Sequence, residues 1–183
     1  MRICIVGCGA VGSLFAAHLA QLDDVEVLAY DASREHVDAI NAGGLRLSGA
    51  GDVVGHLRAT TDAQALPPCD FGIVATKAMH TEPAIRATSH AFRDGCVATV
   101  QNGLGNEETL AAHVERVIRG TTFPAGKILE PGHVQWDVKA RRPTEIESIT
   151  GSLVREAERL GMAAPLHTTL YSLVKAKEAS YSE

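Results

Sequence analysis

An apolar run that passes straight into a glycine loop restricts a fold more tightly than any other feature of this sequence. Ile3-Cys4-Ile5-Val6 is short, rich in β-branched residues and bounded by glycine, which reads as a buried strand. Gly7-Cys8-Gly9-Ala10-Val11-Gly12 follows, and a helix is expected from about Ser13 to Gln21. In a strand–loop–helix of this kind the first glycine permits a tight turn and the second lets backbone approach a pyrophosphate. The third lets the helix close on the strand. The helix N-terminus adds unpaired N–H groups and the positive end of a dipole. The pattern alone is weak, and a glycine-rich turn without a ligand is the plain alternative. The strand before it and the helix behind it are the context the pattern requires.

The rest of the chain repeats the strand–helix alternation. A second strand, Val25 to Tyr30, ends at Asp31, and Ser33 is placed to cap a helix running through Val37 and Ile40 to Gly43-Gly44. Residues 45–60 alternate and are glycine-rich, as in a short hairpin or excursion. Strands are expected at Phe71–Ala75, Cys96–Val100 and Val117–Phe123. Helices are expected over Glu82–Phe92 and from Glu107, the latter capped by Asn106. Lys127–Glu130 and His133–Val138, joined by Pro131-Gly132, read as a β-hairpin. Beyond Lys139 the texture changes. One helix carries Ile146, Ile149, Leu153, Ala157 and Leu160 on a stripe, and a last one follows Pro165.

Alternating strands and helices imply a parallel sheet with right-handed crossovers. The expected class is therefore α/β: a Rossmann-type, doubly wound, mostly parallel sheet followed by two C-terminal helices. The expected division is a dinucleotide-binding domain over residues 1–139 and a helical segment over 140–183. Only 4% of residues are aromatic, so Val, Ile, Leu and Ala must fill the core, a diet that suits a sheet covered on both faces.

Composition narrows the function classes. The formal net charge is −5 and the basic residues are scattered, which argues against a nucleic-acid surface. No apolar run approaches the ~20 residues needed to span a bilayer, and Gly7 interrupts the first apolar run before a secretory core can form. Cys4, Cys8, Cys69 and Cys96 make no C-x-x-C pair and read as reduced thiols of a cytoplasmic protein. The eight histidines show no metal spacing, so no metal is expected. Among them, His18 and His113 read as exposed helix residues, and His80 lies just before a helix.

Asp31 sits at the end of the second strand, roughly 20 residues past the loop, where an acid binds the ribose hydroxyls of NAD. A carboxylate there repels the 2′-phosphate of NADP, whereas Arg34 is a candidate to accept it; a solvent-exposed turn is the other reading of Asp31. Lys77 and Asn102 follow two sheet strands at their carboxyl ends, where open α/β sheets hold ligands. A lysine can donate to a carbonyl or ribose oxygen and an asparagine amide can hold a ribose; a surface lysine and a turn asparagine are the alternatives.

Taken in order, several segments carry a family resemblance. They are the glycine loop with Ser13-Leu14, Thr76-Lys77-Ala78, Gln101-Asn102-Gly103-Leu104-Gly105-Asn106-Glu107, Gly120-Thr121-Thr122 and Pro131-Gly132-His133-Val134. Arg142-Pro143-Thr144-Glu145-Ile146-Glu147, Gly151 and Gly161-Met162-Ala163-Ala164-Pro165 continue the series. Together they resemble the ketopantoate reductase (2-dehydropantoate 2-reductase) family. The resemblance implies an oxidoreductase that reduces a small α-keto acid with NADPH, making pantoate on the route to pantothenate and coenzyme A. It further implies that Gly7, Cys8, Gly9, Ala10, Val11 and Gly12 bind the pyrophosphate and that Lys77 and Asn102 contact the cofactor near the reacting centre. Gly126 would make a backbone contact, and Glu145 would help hold the nicotinamide end.

Two departures qualify that picture. Asp31 stands where the family usually has a basic residue near the strand end, and leans towards NADH. The hairpin also runs almost directly into Arg141-Arg142-Pro143-Thr144-Glu145, which belongs near the family's C-terminus. Most of a helical second domain is thus expected to be missing, and no residue matches the family's catalytic lysine. Lys77 is the lysine that the resemblance leaves near the reacting centre, as a substitute proton donor. The alternative readings are a non-catalytic dinucleotide-binding remnant, or an engineered or incomplete form of the enzyme. Helices deprived of their partners are expected to find another surface, so a homodimer is predicted.

Overall fold

The computed structural model describes residues 1–49, 51–120, 122, 126–136, 146–165, 167–169, 171, 172 and 175. Its first strand, β1 (Arg2–Val6), leads into α1 (Ala10–Leu19), then β2 (Glu26–Tyr30) and α2 (Arg34–Gly43). Three short strands follow: β3 (Leu45–Gly49), β4 (Val53–Gly55) and β5 (Arg58–Thr60). Then come β6 (Phe71–Val74), α3 (Thr81–Thr88), β7 (Cys96–Thr99), α4 (Asn106–Ala111) and β8 (Val117–Arg119). The hairpin is β9 (Gly126–Glu130) and β10 (His133–Trp136), and α5 spans Ser152–Arg159.

The main sheet has six strands in the order β5-β2-β1-β6-β7-β8, and every adjacent pair is parallel. This is the doubly wound order expected from the alternation, with the reversal of strand order falling between β1 and β6. Burial on both faces explains the near-continuous apolar strands. Ile3, Ile5, Val27 and Ala29 face Leu14, Ala17, Val37 and Ile40 of α1 and α2. Cys4, Val6, Leu28 and Val74 face Ile85, Phe92 and Leu110 on the other side. Each buried aliphatic side chain contributes about 1.5–3 kcal/mol.

A second sheet, ordered β4-β3-β10-β9, is where the structure goes beyond the expectation of local hairpins. β10 pairs with β9 antiparallel, as the sequence indicates, but also pairs in parallel with β3, from Arg46 opposite His133 to Gly49 opposite Trp136. This sheet lies over α1, where Trp136 meets the exposed His18 ring edge-on at 6.2 Å between centroids.

Several local readings need correction. α1 begins at Ala10, because Gly9 acts as its N-cap. Ser33 does cap α2, accepting the His36 N–H, but Asn106 lies inside α4, whose N-cap is Gly105. The Asn106 side chain is buried in a polar network instead of capping. β8 stops at Arg119, and His113 sits in the turn closing α4, paired with Glu82 at 2.9 Å. The first C-terminal helix starts as a π-helical turn, Glu147–Gly151, before α5. The second shows helical backbone at residues 165, 167–169, 171, 172 and 175. No helix among the described residues is long and apolar enough to cross a membrane.

Candidate functional site

A crevice of about 430 Å³ opens at the carboxyl ends of β1, β2, β6 and β7, at the point where strand order reverses. Gly7, Gly9, Ala10, Val11, Asp31, Lys77 and Asn102 all line it. Two glycines of the loop are there because nothing else fits. Gly7 has φ +90°, and a Cβ on it would stand 2.5 Å from Thr76 Cγ2. A Cβ on Gly12 would stand 2.0 Å from the Gly7 carbonyl oxygen, so α1 approaches β1 only because the side chain is missing. Gly9 is different: a Cβ there would meet nothing within 4 Å. The chain leaves open space at the N-terminus of α1, where the first N–H groups have no partner in the preceding turn.

Cys8 and Gly12 belong to the loop, but both are buried and neither lines the crevice. The Cys8 backbone N–H donates to Asp31 Oδ2 at 2.8 Å, and its thiol is enclosed. Burial pushes that thiol up to about 12 against a smaller opposing effect of the Ser13 hydroxyl, which removes it as a nucleophile. Asp31 thus ties the end of β2 to the glycine loop, and its Oδ1 accepts the Ser33 N–H at 2.9 Å. Each carboxylate oxygen has a second lone pair, suited to hydroxyl donors. Arg34 is exposed on α2 and does not line the crevice.

Lys77 precedes a 3₁₀ turn, Ala78–His80, and its carbonyl accepts the His80 N–H at 2.8 Å. His80 also lines the crevice. A polar network that sequence reasoning missed holds this loop to the loop carrying Asn102. The buried Gln101 amide donates to Thr76 O at 2.8 Å, Thr76 Oγ1 at 3.0 Å and Thr81 Oγ1 at 2.7 Å, and accepts from Thr99 Oγ1. Thr81 donates in turn to Asn106, whose amide donates to the Asn102 carbonyl at 3.3 Å. With this many donors and acceptors satisfied, the two lips of the crevice are set relative to each other before anything binds.

Gly126 does not line the crevice, but packs beside the loop: a Cβ on it would lie 3.3 Å from Ala10 Cβ. Glu145 lies outside the described residues. No group of three or more metal-ligating side chains occurs among the described residues. The open space at Gly9, the N-terminus of α1 and the Asp31 carboxylate fit the pyrophosphate and ribose of a dinucleotide.

Residues 3–150 match the family model described as "Ketopantoate reductase PanE/ApbA". A 2-dehydropantoate 2-reductase of Pyrococcus abyssi is 35% identical over 140 residues, covering 76% of this chain and 45% of the relative. The chain spans about half the length of the curated relatives it matches. Two solved structures share the fold at 19% identity, each aligned over 100% of both chains. One is a PanE/ApbA family ketopantoate reductase from Ralstonia eutropha JMP134, with a TM-score of 0.78. The other is D-mandelate dehydrogenase in a ternary structure with NADH and anilino(oxo)acetate, with a TM-score of 0.80.

Proposed function

Because the chain belongs to the ketopantoate reductase PanE/ApbA family, we propose that it is a nicotinamide-dinucleotide-dependent oxidoreductase acting on a small α-keto acid. Ketopantoate is the first substrate to try, which would make the product pantoate, on the route to pantothenate and coenzyme A. One observation carries the reading. The glycine loop and the N-terminus of α1 open into a crevice at the β1/β6 reversal, with Asp31, Lys77 and Asn102 around it. NADH bound to D-mandelate dehydrogenase, which shares the fold, supports the choice of cofactor class.

Residue roles follow from chemistry. Backbone N–H groups at Gly9, Ala10 and Val11 receive the pyrophosphate, favoured by the helix dipole. Asp31 accepts the ribose hydroxyls, while Tyr30, Ala32 and Pro83 supply apolar wall to the crevice. Asn102 holds the nicotinamide ribose, Glu145 helps hold the nicotinamide end, and Gly126, beside Ala10, makes a backbone contact to the cofactor. When bound, the reduced dinucleotide supplies the hydride. A ketone accepting hydride develops negative charge on oxygen, and the Lys77 ammonium is the group assigned to stabilise that charge and supply the proton.

Asp31 makes NADH the preferred partner, since a 2′-phosphate there would meet a carboxylate. The Asp31→Asn variant should narrow the NADH-over-NADPH preference by about tenfold or more, by removing a charged acceptor and a like-charge repulsion. Paired titrations with both dinucleotides read this out. An unchanged ratio would return Asp31 to the role of a turn residue.

Residues 1–139 then form the dinucleotide-binding unit and 140–183 a short helical segment. Ile149, Leu153, Leu160 and Met162, which are 36–64% exposed, give that segment an apolar surface, and a homodimer is the state that covers it. Light scattering at micromolar concentration should return twice the chain mass; the mass of one chain would refute the pairing. Four free thiols suit a reducing cytoplasm.

The test of the function is turnover: NADH oxidation by the purified protein on addition of ketopantoate. Dinucleotide binding without turnover of this or related α-keto acids would leave a binding protein in place of a reductase.

A further inference from the structure

His36 is buried, 4% exposed, and is not part of the crevice. Both of its ring nitrogens are engaged. Nδ1 accepts the backbone N–H of Gly132 at 2.9 Å, which leaves Nε2 to carry the proton and donate to the Cys8 carbonyl at 2.9 Å. The Ser13 hydroxyl donates to the same carbonyl, also at 2.9 Å. Two donors on the interior side therefore hold the Cys8–Gly9 peptide in one orientation.

The consequence lies on the other side of that peptide. In a planar trans peptide the C=O and N–H point in opposite directions, and no peptide bond among the described residues is cis. With the Cys8 carbonyl drawn inward, the Gly9 N–H is turned outward, at a residue that lines the crevice and faces open space. A flipped peptide would present a carbonyl oxygen there, which repels a phosphate.

We infer that His36 is a positioning residue for the pyrophosphate subsite, locking the Cys8–Gly9 peptide so that its N–H and not its carbonyl faces the anion. The inference deepens the dinucleotide reading and rests on it. It also couples the subsite to the second sheet, because the Gly132 turn between β9 and β10 fixes the tautomer that makes Nε2 the donor.

Three substitutions separate this role from simple support of the fold. Asparagine keeps an acceptor within reach of Gly132 but is too short to donate to Cys8, whereas the glutamine amide reaches the Nε2 position. His36→Asn should weaken ADP binding about tenfold, the effect of one well-placed hydrogen bond, while adenosine, which lacks phosphate, binds as before. His36→Gln should restore ADP affinity to within about threefold. Ser13→Ala, a smaller change to the core, should show the same selective loss of ADP affinity and serves if His36→Asn does not fold. Unchanged ADP affinity in the folded variants, or an equal loss for adenosine and ADP, overturns the role of His36. Failure of the unsubstituted protein to bind NADH or ADP would instead overturn the dinucleotide reading itself.

Discussion

Gly12→Ala is expected to unfold the protein at markedly lower temperature and to abolish measurable dinucleotide binding. The added Cβ would stand 2.0 Å from the Gly7 carbonyl oxygen, 3.0 Å from the Gly7 carbonyl carbon and 3.1 Å from Ile5 Cγ2. Two of those atoms are backbone, so no rotamer change relieves the clash, and α1 must move off the end of β1. Overpacking of this kind costs about 1–3 kcal/mol or more, which for a chain of this size corresponds to a melting temperature lower by about 2–12 °C. Moving α1 also displaces the N–H groups assigned to the pyrophosphate, so NADH affinity should fall by at least about 100-fold. Gly9→Ala separates the two effects. Its Cβ meets no protein atom within 4 Å and its φ is −69°, so the fold should tolerate it. The methyl group lies where the ligand must come, and NADH binding should weaken without a change in thermal stability. Normal NADH affinity in a well-folded Gly12→Ala protein would show that the helix approach is not what forms the subsite.

Lys77→Ala is the second large effect, and it falls on chemistry. General acid catalysis is typically worth 10²–10⁴-fold, and turnover of an α-keto acid should drop by about that factor. Lys77 is exposed at the crevice and borders the loop that Gln101 holds through Thr76. Its replacement should therefore leave thermal stability nearly unchanged. Turnover of Lys77→Ala at the rate of the unsubstituted protein would remove Lys77 from the proton path and direct attention to His80, which lines the same crevice.

The parts of this molecule that were legible in the sequence are those with local causes. β1, the glycine loop and α1 follow from an apolar run, three glycines and the helix behind them. Asp31 is legible because it ends a strand at a recognisable distance from that loop, and Ser33 because a serine before a helix has a capping role. The second sheet was not legible in the same way. Alternation marks β3 and β10 as strands, but nothing local states that Arg46 lies opposite His133 across the intervening chain.

The polar residues that organise the candidate site were harder still. His36 falls four residues before Ile40, on the buried stripe of α2, and that placement was its only signal. Gln101 stands in a recognisable segment, but nothing there marks its partners, Thr76 after β6 and Thr81 at the start of α3. Asn106 resembled a helix cap by type and position, and lost that role because Gly105, at φ +88°, takes the N-cap and leaves the asparagine inside the first turn. Side chains whose partners are remote in sequence are fixed by the packed fold and not by their neighbours.

Calorimetric titration of the purified chain with NADH tests the central claim most directly. Saturable binding at one dinucleotide per chain, tighter than for NADPH, is the predicted result. No heat of binding with either dinucleotide would contradict it, and would leave the crevice at the β1/β6 reversal without the ligand proposed for it.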